Sequence, residues 1–147
     1  MARQQLYPVD EARRLLTGMA NKYALTYSDS EWADGDLDFR FHPQSGLLFA
    51  VTLSFQNRDE FHLQTDDFCS SYFPCTDPEI RIQFEESVDG LFSGEWRILA
   101  RKRSWGMLNS ELQQPNGGGM WLGVRKYTRF GWPFGRVTTT ITQNRVA

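Results

Sequence analysis

Few side chains in this 147-residue chain are spaced to do chemistry. Asp34, Asp36 and Asp38 form a D-x-D-x-D run, and alternating carboxylates can hold a hard cation through oxygen ligands. An EF-hand loop begun at Asp34 needs glycine at its sixth position and glutamate at its twelfth. Those positions are Phe39 and Ser45, so the run reads instead as the solvent face of a strand whose other face is Leu37, Phe39 and Phe41. Cys69, Cys75, His42 and His62 are the soft ligands. Structural zinc wants close Cys or His pairs, whereas five residues separate these cysteines and nineteen separate the histidines. No metal or cofactor is expected. Cys69 with His62 is a candidate nucleophile–base pair, set against the plainer reading of a small buried thiol and an outward strand histidine. Asp66 and Asp67 with Glu60 and His62 could split their pKa values for acid–base work, or simply end a strand. Gly117-Gly118-Gly119 leads into a strand pattern, not into the helix N-terminus a phosphate cradle requires. No G-x-S-x-G, H-E-x-x-H or G-x-G-x-x-G occurs. The balance leans away from an enzyme.

Arginine beside aromatic residues is the stronger pattern. If Ile98 and Val124 face a core, strand alternation turns Arg97, Arg101, Arg103, Trp121, Arg125, Tyr127 and Arg129 to the other side. Guanidinium with exposed rings suits two partners. One is a protein interface, where Trp, Tyr and Arg supply the anchors. The other is an anion or single-stranded nucleic acid, where arginine pairs with phosphate and rings stack on bases. These seven residues are the candidate binding site.

The elements that would carry them follow from periodicity. Pro8 opens a helix of about 12 residues whose Ala12, Leu15, Leu16, Met19 and Tyr23 recur at helical spacing. Period-two runs follow at Leu37–Phe41, Leu47–Phe55 and Phe61–Leu63, joined by Pro43-Gln44-Ser45-Gly46 and Gln56-Asn57-Arg58-Asp59. Thr76 or Asp77 caps a second helix, with Pro78 at its first position and Ile80, Phe84, Val88 and Leu91 along one face. Trp96 to Arg103, Met120 to Arg129 and Val137 to Ile141 give three more strands, with Ser104 to Gly119 expected as a long loop.

The expected fold is therefore α+β: one antiparallel sheet of about six strands against two helices, in the order α-βββ-α-βββ. One domain over residues 1–147 is expected, its last residues 143–147 frayed. Roughly 70% of the unfolded surface is burial-accessible to a chain this long. Composition is that of an ordinary globular protein, 40% hydrophobic and 23% charged. The longest apolar run, Leu47 to Val51, is far short of the roughly 20 residues that span a bilayer. Two cysteines are too few for an extracellular disulfide framework. A cytoplasmic protein with no membrane partner is expected.

The net charge of −2 hides an imbalance. Residues 1–93 carry 7 basic and 16 acidic side chains, a balance of −9, and residues 94–147 carry 9 and 2, a balance of +7. Cross-strand neutralisation within one domain accounts for this. So does an anionic partner for the C-terminal part. A pI near 5.7 weighs against a dedicated nucleic-acid binder. The 11 Phe, 5 Trp and 5 Tyr exceed what a domain this small buries with ease, and Trp32, Phe73, Trp105, Trp132 and Phe134 fall in turns. Loop aromatics mark a recognition surface or a cleft wall. The expected function is a small binding domain, of adaptor, chaperone-like or immunity type, docking a protein partner or a second copy. Anion or single-stranded nucleic-acid binding is the alternative, and a ligand carrier or enzyme with a helix–sheet pocket the third.

Overall fold

The computed structural model describes residues 6–145. Helix α1 (Val9–Lys22) starts from Pro8, whose extended ψ of 132° lets the chain enter the helix, and carries Asp10 and Glu11 in its first turn. Carboxylates there complement the positive end of the helix dipole. Ala12, Leu16, Met19 and Ala20 are buried, and Leu15 and Tyr23 pack beside them.

Five antiparallel strands follow in chain order: β1 (Ser28–Glu31), β2 (Leu37–Phe41), β3 (Val51–Gln56), β4 (Glu60–Gln64) and β5 (Cys69–Tyr72). Their alternation decides which side is core. Phe39, Leu53 and Leu63 stand in register and are fully buried. The opposite side carries the polar row Asp38, Ser54, His62 and Ser71 across four strands. Helix α2 (Pro78–Ser93) begins where the Asp77 carboxylate accepts the Glu79 N–H at 2.9 Å. It ends at Gly94, whose φ of 81° is left-handed and so favours glycine.

The second sheet is β6 (Arg97–Arg103), β7 (Leu108–Pro115), β8 (Trp121–Arg129) and β9 (Val137–Gln143), in the spatial order β8-β7-β6-β9. Its inner face sends Ile98 and Leu112 into the same core cluster as α1, α2 and the first sheet. That core is aromatic-rich: Phe61 stacks on Phe84 at 4.6 Å, and Phe41 meets Phe92 edge-on at 5.2 Å.

The architecture is α+β with the expected alternation of helices and strands. It differs in count: among the described residues, nine strands in two sheets replace about six in one. Strands β1 and β5 are four residues each, too short for a period to declare itself. Strand β7 lies inside the segment expected as a loop. Its buried residues are Leu108, Ser110, Leu112 and Gln113, and a serine in the middle breaks the apolar alternation. The run from Leu47 to Phe55 is shorter than expected, because Gln44 and Leu47 close a turn with reciprocal bonds of 2.9 and 3.0 Å and the strand starts only at Val51. At the other end Gln143 closes β9 and donates to Gly94 O, while Asn144 is tied down by three bonds. Of the tail expected to fray, residues 146–147 lie outside the described residues. Among the described residues no helix is long and apolar enough to cross a membrane.

Candidate functional site

The candidate chemical residues of the first sheet are held by their neighbours. Asp34 accepts the Asp36 N–H, Asp36 accepts the Asn57 N–H, and Asp38 accepts the Ser54 hydroxyl at 2.7 Å. The three aspartates thus organise a hairpin. Among the described residues no group of three His, Cys, Asp or Glu side chains is arranged to hold a metal. Asp67 is drawn to the second sheet, its carbonyl accepting from Ser110 and its carboxylate 3.5 Å from Lys102. Cys75 is fully buried. Burial first, then the nearby Asp59 charge, pushes its thiol up to about 12. Burial also raises the Cys69 thiol, which opposes thiolate formation.

His62 has different partners from those expected. It pairs across the strands with Ser71, not Cys69. Its Nε2 lies 2.9 Å from Glu60 and its Nδ1 3.3 Å from the Ser71 hydroxyl. In the tautomer that donates from Nε2 to Glu60, Nδ1 accepts from the serine hydroxyl. Serine, histidine and carboxylate in that order resemble an acyl-transfer relay. Such a relay also needs donors aimed at an oxyanion and a site that excludes water. Ser71 sits exposed on the outer face of the sheet, so the chain of bonds serves as cross-strand pairing.

The arginine-rich strands divide. Register puts Ile98 opposite Leu112 and Ala100 opposite Ser110, all buried, so Arg97, Arg101 and Arg103 face outward as expected. Trp121, opposite Pro115, faces outward too, and the Arg97 guanidinium lies 4.0 Å from its ring centroid. The other three do not share that face. A bulge opposite Leu112 and Gln113 inserts Val124 as an extra residue. One extra residue reverses strand parity, so Arg125, Tyr127 and Arg129 stand on the side of Leu112, Ser110 and Leu108. Tyr127 packs against the core. Arg125 lies 4.2 Å over the Tyr72 ring and donates to Ser71 O and Gln83 Oε1. It joins the second sheet to β5 and α2 and is not part of an open face. Lys126 is outward in its place, opposite Glu111. With Leu99 and Arg101, these two line a groove of about 210 Å³.

Sequence reasoning noted the loop aromatics singly and missed that they converge. The β6–β7 turn and the β8–β9 connection meet at one end of the second sheet. Trp132 N–H donates to Trp105 O at 3.3 Å, Ser104 N–H to Arg136 O at 3.0 Å, and Arg136 N–H to the Ser104 hydroxyl at 3.2 Å. The backbones of Gly106 and Gly131 touch so closely that a Cβ at Gly131 would overlap the Gly106–Met107 peptide. The rings stay outside: Trp105 is 62% exposed, Phe130 90%, Trp132 67% and Phe134 56%. Trp105 meets Phe134 edge-on at 6.1 Å. Arg103, Arg129 and Arg136 flank them in sequence, and residues 112–147 contain no acid. The available signal was glycine: Gly106 follows Trp105, Gly131 lies between Phe130 and Trp132, and Gly135 follows Phe134, where the turns approach closely.

Comparison with protein-family models, curated proteins and solved structures yields no match.

Proposed function

We propose that this chain is a binding domain, of adaptor, chaperone-like or immunity type, that docks a protein partner through its second sheet. The contact would centre on Trp105, Phe130, Trp132 and Phe134, and continue over the outward Arg97, Arg101, Arg103 and Trp121. One observation carries the reading. Of the thirteen exposed large apolar side chains among the described residues, eight belong to the second sheet and its turns, four of them aromatic at one end. Scattered exposed apolar residues need no explanation, whereas four exposed rings gathered at one end of a sheet do. The connection that holds them is cross-bonded, so little ordering entropy is lost on contact. The two free cysteines fit a reducing compartment such as the cytoplasm.

A photo-crosslinking residue at position 130 tests this against one at Thr52, on the polar face of the first sheet. Adducts from position 130 alone support the reading. Equal adducts from both positions refute it.

Binding of an anion or single-stranded nucleic acid is the second reading, favoured by Arg101, Arg103 and Lys126 on one outer face. Against it, the Trp121 ring is already covered by Arg97, so it is not an open stacking platform. Its signature is affinity falling linearly with log salt.

A further inference from the structure

The four sheet edges of this protein are not treated alike. A strand edge presents unpaired N–H and C=O groups, and folded proteins blunt it by shortness, charge, bulges or cover. Strand β1 is four residues, SDSE, with Asp29 and Glu31 held by Arg13. Strand β5 is also four residues and lies against β8, where Arg125 takes the Ser71 carbonyl. Strand β8 is bulged beside Val124 and carries Arg125, Lys126 and Arg129. Strand β9 has none of these devices. It runs seven residues, VTTTITQ, with no charge, proline or glycine, and Val137 to Ile141 are all exposed. Among the described residues it pairs only with β6. Its β-branched residues are those most enriched in strands.

We infer that β9 is the edge at which an extended acidic segment of a protein partner adds as a further strand. This rests on the docking reading above and says which element would receive the partner's backbone. Strand addition gives affinity through main-chain bonds and specificity through alternate side chains. The charge on the page selects the segment. Arg101 and Arg103 stand opposite Thr139 and Val137 on the outer face. A strand added beyond β9 would lie about 10 Å from β6, two strand spacings away. Arginine is long enough to reach over a threonine toward it. Arg101 is exposed and makes no ion pair among the described residues. A second copy would bring another basic sheet against this one, so like charges disfavour self-pairing.

The probes are two synthetic nine-residue peptides alternating valine with either glutamate or lysine. Their affinity is read by fluorescence anisotropy and their location by amide exchange. The glutamate peptide should bind at least about tenfold more tightly than the lysine peptide and slow exchange in residues 137–141. R101E should erase that preference. Amides along β9 alternate between β6 and solvent, so proline at Thr139 or at Thr140 removes an outward donor in one of the two. The variant that melts like wild type should lose binding. Equal affinity for both peptides, protection elsewhere, or β9 protected by dimerisation without peptide would each overturn the inference. Crosslinking from position 130 that persists while both peptides fail would leave the docking reading standing and remove only the edge.

Discussion

Arg125 is where residue identity and residue role separate. Its type suits an anion-binding face, yet its three contacts are internal: the Tyr72 ring, Ser71 O and Gln83 Oε1. Arg125→Ala should therefore lower stability by about 1–2 kcal/mol, since charge-assisted hydrogen bonds and a guanidinium–ring contact are lost at a half-buried position. Partner crosslinking from position 130 should be unchanged. Urea denaturation measures the first and adduct yield the second. The thiols give a second prediction. Cys75 is sealed and its thiol is pushed up to about 12 from 9.0. The folded state therefore binds the proton more tightly than the unfolded chain. That contribution is complete below pH 9 and is lost as pH rises toward about 12. The urea midpoint should fall across that window, and less steeply in Cys75→Ala. In native protein an alkylating reagent should modify Cys69 before Cys75, with Cys75 reacting at the rate of unfolding.

Asn144 joins segments that are far apart in the chain. Its amide donates to Gly46 O at 2.8 Å and Phe92 O at 2.6 Å, and its oxygen accepts Leu48 N–H at 3.0 Å. The end of β9 is thereby tied to the β2–β3 connection and to α2. Asn144→Ala should cost about 2–3 kcal/mol, several bonds at about 1 kcal/mol each, seen as a lower melting temperature with the helix signal intact. At this scale much of the fold was legible. Pro8, Asp77, Pro78 and the apolar spacing of both helices declare their starts and faces, and Leu37–Phe41 declares a strand. What was hidden has physical causes. Strands β1 and β5 are too short to show a period. Strand β7 buries Ser110, satisfied by a carbonyl 43 residues away. The bulge at Val124 is fixed by how β8 pairs with β7, which no local pattern records, and it reassigned three of seven candidate site residues.

Over the whole molecule, the charge imbalance is one between the N-terminal part of the chain and the part that carries the second sheet. The acidic −9 is that of residues 1–93, which include α1, the first sheet and α2, and the basic +7 that of residues 94–147, which include the second sheet. Pairing between the two parts neutralises only some of it, as at Lys102 and Asp67. The remaining arginines flank exposed rings at one end and an unguarded strand at the other edge of the same sheet. A field of that kind steers an acidic partner toward the surface that would hold it, and the steering weakens with salt. The most direct measurement compares co-purification from the native source for wild type and for the double variant Phe130→Ser, Trp132→Ser. Both rings are exposed, so the variant should melt within about 2 °C of wild type, as surface changes usually do. The account predicts a protein retained in near-equal amount by wild type and absent from the variant, since interface anchors cost about 2 kcal/mol or more when truncated. The same protein, in the same amount, on an equally stable variant would contradict it.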